Sequence, residues 1–95
     1  MQNHHLMLYM IIERFHKGKV KSLYERYSAE GRLMPSGIRY IGSWIDEKIE
    51  TCYQVMESPS EELLQEWIDN WKDLCDFEIV PVITSVEARK RVMGE

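Results

Sequence analysis

A chain of 95 residues holds material for one hydrophobic core, and 44% hydrophobic with 29% charged residues excludes both a disordered chain and a fibrous repeat. The net charge is −4 and the basic residues are scattered among acids, so no nucleic-acid partner is expected. The longest apolar run, Leu6 to Ile12, falls far short of the roughly twenty residues of a membrane helix, so no membrane partner is expected either.

The two cysteines, Cys52 and Cys75, lie far apart with no CxxC spacing and no secretory apolar region, which reads as reduced thiols in a cytoplasmic protein. The aromatic content of 11% supplies large apolar side chains to a small core and leaves surface in need of a partner, favouring association.

In chain order, residues 7–15 are β-rich and are followed by the breaker His16-Lys17-Gly18, which predicts a first strand. From Lys19 to about Gly31, apolar residues at Val20, Leu23, Tyr24 and Tyr27 follow the i, i+3, i+4, i+7 spacing of a one-sided helix. Met34-Pro35-Ser36-Gly37 forms a turn, and Ile38 to Ile45 reads as strand two. Asp46-Glu47-Lys48 is a hairpin loop into strand three, Thr51 to Glu57.

Ser58-Pro59-Ser60-Glu61 then announces a second helix, with a capping serine, a proline at the first helical position and a glutamate reaching back. Its buried stripe is Leu64, Trp67, Ile68, Trp71, Leu74 and Cys75. Strand four runs from Phe77 to Ile83. Pro81 inside it cannot donate to a ladder, which places this strand at a sheet edge. Residues 85–95 form a polar tail with the makings of a short helix, and residues 1–6 read as an extension of the domain at 7–84.

Two β-α-β units with right-handed crossovers predict an α+β, ferredoxin-like β-α-β-β-α-β sandwich. Its four-stranded antiparallel sheet has the order 4-1-3-2, with two helices on one face. Several blocks occur together in this frame: Met7 to Glu13, Gly37-Ile-Arg-Tyr40 with Ser43-Trp44, Cys52 to Glu57, Gln65-Glu-Trp67 and Asp76 to Val82. In combination they resemble the bacterial family known as domain of unknown function 3303, over about Met7 to Val86. The resemblance implies a dimeric α/β-barrel fold and no activity, so no catalytic residue is carried over from it.

Faces are assigned by the cost of burying polar groups under the helices. That rule puts Leu8, Met10 and Ile12 inward. It leaves Tyr9, Ile11, Glu13 and Phe15 on the open face, together with Arg39, Ile41 and Ser43, Cys52, Gln54 and Met56, and Glu78, Val80 and Val82. Trp44 then lies under the helices, unless a one-residue bulge near Gly42 reverses it.

So apolar a face predicts a homodimer that buries it, with a cavity between the paired faces. With strand three read as parallel to strand one, Met56 and Glu78 fall beside Glu13 and Arg39 lies beyond Met56. One end of the cavity then holds two acids and an arginine, and the candidate site residues are Tyr9, Glu13, Arg39, Gln54, Met56 and Glu78. Two close carboxylates can share a proton near neutral pH, and an arginine can clamp a carboxylate. The plainer alternative is a structural ion-pair network.

His4, His5 and His16 lack convergent metal geometry, and His16 reads as capping a strand end. Cys52 has no basic neighbour to activate it, Trp67 and Trp71 read as packing, and no metal or cofactor is expected. The first functional expectation is a homodimeric module binding a small organic acid or aromatic metabolite. The alternatives are a cofactor-free isomerase or monooxygenase with a glutamate proton shuttle, and a structural or regulatory dimer without ligand. The absence of an open-face histidine weighs against the enzyme.

Overall fold

The computed structural model describes residues 5–95, so His4 lies outside the described residues. The elements are β1 (Met7–Phe15), α1 (Val20–Glu30), β2 (Arg39–Ile45), β3 (Thr51–Ser58), α2 (Glu61–Ile68), β4 (Cys75–Val82) and α3 (Ser85–Met93). The sheet order is β2-β3-β1-β4, every neighbouring pair is antiparallel, and the first six elements form the expected ferredoxin-like sandwich. Pro81 sits on β4, an edge strand, where its missing N–H costs no ladder bond. The polar tail is helical: Thr84 accepts the Glu87 amide at 3.1 Å and Gly94 closes the helix in the left-handed region.

Local signals hold with small shifts. Ser60 is the N-cap of α2, its hydroxyl accepting the Leu63 amide at 3.2 Å, and Glu61 is the first helical residue. Pro59 therefore precedes the cap instead of opening the helix. The reason lies in Ser58, which finishes β3 and donates from its hydroxyl to the Ser60 carbonyl at 2.8 Å, taking one more residue for the turn. The α2 stripe is buried throughout, but the helix ends at Ile68, and Trp71 and Leu74 come from the turns that follow.

The face assignment is corrected by the register. Tyr9 pairs with Met56, Ile11 with Gln54 and Glu13 with Cys52, and all six are buried on the helix-covered side. Leu8, Met10, Ile12 and Val55 therefore belong to the open face, as do Glu78, Val80 and Val82 on β4. The rule of burying only apolar groups fails because both faces of β1 are apolar. The polar pair Glu13 and Gln54 also satisfies itself, the Gln54 amide donating to the Glu13 carboxyl at 3.3 Å.

On β2 a bulge between Tyr40 and Gly42 shifts the alternation. Ser43 and Ile45 turn toward the helices, and Trp44 stands 62% exposed on the open side. Because β3 is antiparallel to β1, Glu13 faces Cys52 across the ladder and not Met56.

A candidate pocket beneath the first helix

The helix-covered face is filled unevenly. Under α2, Tyr9, Ile11, Met56, Leu64 and Trp67 pack into the core, with the Trp67 ring edge-on to Phe77 at a centroid distance of 5.5 Å. Of the α1 side chains only Leu23 is buried, and Tyr24 and Tyr27 are partly exposed. The space between α1 and the sheet is a pocket of ≈ 100 Å³. Glu13, Gln54, Ser43 and Cys52 form its floor, and its walls include Leu23, Tyr24, Tyr27, Arg32, Trp67 and Trp71.

Polar contacts hold α1 over this space. Arg26 grips the Asp73 carboxylate with both guanidinium nitrogens, at 2.9 and 2.7 Å, and also donates to the Asn70 carbonyl at 2.8 Å. Its guanidinium lies 5.5 Å from the Trp71 ring centroid. Gly18 and Gly31 bracket α1 at φ of 76° and 72°, backbone conformations that other residues adopt only at a cost.

After α1 the chain is pinned. The indoles of Trp67 and Trp71 both donate to the Arg32 carbonyl, at 3.0 and 2.9 Å, and Asn70 donates to the Leu33 carbonyl at 3.0 Å. Leu33 is held at φ 56°, a strained value for a side-chain-bearing residue.

Glu13 is the chemical centre of the pocket. It is 6% exposed, Gln54 is its hydrogen-bond partner, and it makes no ion pair among the described residues. Burial pushes its carboxyl up to about 7, because the charged form loses its hydration without gaining a cation. The Cys52 thiol opposite is pushed up to about 12 by burial and by the Glu13 charge. Burial likewise raises the Cys75 thiol, so both free cysteines are unreactive apolar residues.

Of the six residues expected to share a cavity, Glu13 and Gln54 line this pocket, while Tyr9 and Met56 belong to the core. Arg39 and Glu78 lie across the sheet, each in a local ion pair, with Glu57 at 3.6 Å and with Arg14 at 3.2 Å. The cluster of two acids and an arginine is therefore not assembled. Strand parity sets Glu13 and Glu78 on opposite faces, and Arg39 lies near the Leu8 end of β1 while Glu78 pairs with Ile12.

Sequence reasoning missed Arg32, which follows the helix-terminating Gly31 and carries no periodicity signal. It also missed the role of Tyr24 as a pocket wall. His16 bridges Asp76 at 2.9 Å and the Asp73 carbonyl at 3.3 Å, and its protonated form is favoured by Asp76. No group of three or more His, Cys, Asp or Glu residues converges on a metal position among the described residues.

The open face carries exposed Ile41, Trp44 and Tyr53. Beside them a broad groove of ≈ 740 Å³ is lined by Leu8, Arg39, Val55, Val82 and Arg91 among others. Among the described residues no helix is long and apolar enough to cross a membrane.

Fold and site together define a ferredoxin-like domain with a buried carboxyl in a pocket under its first helix. The chain belongs to the family described as Domain of unknown function (DUF3303), whose model matches residues 7–94. Among curated proteins none matches. A solved structure, that of a NIPSNAP family protein with unknown function from Agrobacterium tumefaciens, is similar at 14% identity. The match covers 88% of this chain and 94% of that one, with a TM-score of 0.49.

Proposed function

We propose that this is a cytoplasmic small-molecule-binding domain whose ligand occupies the pocket beneath α1, and that two copies pair through the open sheet face. The observation that carries the pocket reading is Glu13: a carboxyl 6% exposed in an aromatic-walled cavity, in no ion pair among the described residues and pushed up to about 7 by burial. A buried ionisable group that serves no structural ion pair is costly to keep, and such groups concentrate at binding and catalytic sites. Protonated, Glu13 donates a hydrogen bond to a ligand acceptor. Ionised, it accepts a proton.

That dual capacity also favours a second reading, a cofactor-free enzyme of the isomerase or monooxygenase kind with Glu13 as its proton shuttle. Pairing is supported by the row of Met10, Ile12, Val55 and Val80 beside exposed Trp44, apolar surface that a second copy would cover.

A screen of small aromatic fragments, followed by backbone amide shifts, tests the pocket. Shifts concentrated on Glu13, Tyr24, Ser43 and Gln54 are expected. Shifts confined to Met10, Val55 and Val80 would move the site to the open face and end the pocket reading. Sedimentation at micromolar concentration tests the pairing, and a monomer there rules it out.

A further inference from the structure

Arg32 has an unusual situation. Its carbonyl is clamped by two tryptophan indoles at 3.0 and 2.9 Å, and its guanidinium lies 3.8 Å from the Tyr40 ring centroid and 5.2 Å from that of Tyr27. It donates one hydrogen bond, to the Tyr27 hydroxyl at 3.3 Å, and makes no ion pair among the described residues. The other arginines near α1 and on the sheet, Arg14, Arg26 and Arg39, all pair with acids. Arg32 thus presents a fixed cation with spare N–H donors on the wall of a pocket whose floor is neutral while Glu13 holds its proton.

We propose that the pocket takes a small organic monoanion with an apolar body, its carboxylate meeting Arg32 and its far end meeting the Glu13 and Gln54 side chains. The size follows from the cavity: ≈ 100 Å³ is about three times the roughly 30 Å³ that one water occupies in the liquid, so the body it takes is no larger than a single ring. A neutral ligand would leave the Arg32 guanidinium without a counter-charge, and the second charge of a dianion would find no cation at the Glu13 and Gln54 floor. This ligand class rests on the pocket reading above, and the test separates the two.

Benzoate and its neutral isostere benzamide match the size, and the tryptophans in the pocket wall report their binding by fluorescence. Saturable binding of benzoate at least tenfold tighter than benzamide is expected. Arg32→Gln should abolish that preference while leaving benzamide unchanged, and Arg32→Lys should restore part of it. Arg32→Gln keeps the backbone carbonyl that both indoles bind, so an unchanged circular dichroism spectrum accompanies the loss. Benzamide binding as well as benzoate, or a preference that survives Arg32→Gln, overturns the anion assignment and leaves the pocket standing. Binding of neither compound removes the pocket reading itself.

Discussion

The two helices that cover the sheet are held down by different physics. α2 starts from a serine cap with Glu61 and Glu62 in its first turn, and it buries Leu64, Trp67 and Ile68. Those features stabilise the helix end and its dipole and anchor it by apolar burial. α1 starts at Lys19 with no side-chain cap, has no acid in its first turn, and buries Leu23 alone. What holds it is the grip of Arg26 on Asp73 and Asn70. The difference explains where the pocket is: a helix anchored by its polar rim can stand off the sheet, and the floor beneath it can include a carboxyl.

The largest expected effect separates the two anchoring modes. Trp67→Ala should destabilise the fold by about 3–5 kcal/mol, whereas Leu23→Ala, bordering space that is already empty, should cost about 2 kcal/mol. Urea denaturation measures both, and equal costs would erase the contrast between the helices.

Glu13→Gln comes next, and its sign depends on pH. The native carboxyl titrates at about 7 against an ordinary 4.5, so between those values the folded state holds a proton that the unfolded state has released. Stability therefore falls as pH rises from 4.5 to about 7, and the full cost is present above that. Glutamine mimics the protonated form, so the variant should gain about 3 kcal/mol at pH 8 and close to nothing at pH 4. Thermal melts at the two pH values check this, and a gain that does not depend on pH would remove the buried proton from the account.

The same titration should govern benzoate, whose affinity is expected to weaken above pH 7 in the wild type and to lose that dependence in Glu13→Gln. The groups facing Glu13 are Tyr24 from α1, Cys52 and Gln54 from β3, Phe77 and Cys75 from β4, Trp67 from α2 and Arg32 from the loop after α1. Burial raises Tyr24, Cys52 and Cys75, which leaves Glu13 as the group titrating near neutrality.

Arg26→Ala should cost about 1 kcal/mol globally, since Asp73 is well exposed to solvent. It should nevertheless speed amide hydrogen exchange in α1 well before α2, which is the more telling readout. Smallest of all, Ser60→Ala should cost about 1 kcal/mol through the lost cap, while Lys19→Ala, at a cap position that makes no side-chain bond, should change stability by under about 0.5 kcal/mol.

Much of this molecule was legible in the sequence because its information is local. The helix spacing of Val20, Leu23, Tyr24 and Tyr27, the Ser60 cap, the Gly31 stop and the Pro81 edge signal each depend on a few neighbouring residues, and together they determined the elements, their order and the sheet topology. Glu13 and Gln54 were also among the candidate residues, and both line the pocket under α1.

Which face of the sheet they occupy was decided only in three dimensions. β1 is apolar on both sides, so its alternation does not choose, and a carboxyl that can hold a proton beside an amide is buried at a smaller penalty than a charged one. One inserted residue at the β2 bulge turned Trp44 outward and Ser43 inward, and strand parity parted Glu13 from Glu78. Arg32 became a pocket residue through two tryptophans more than thirty positions away that hold its carbonyl. Spacing along the chain carries no trace of such a contact, because it depends on how distant elements pack.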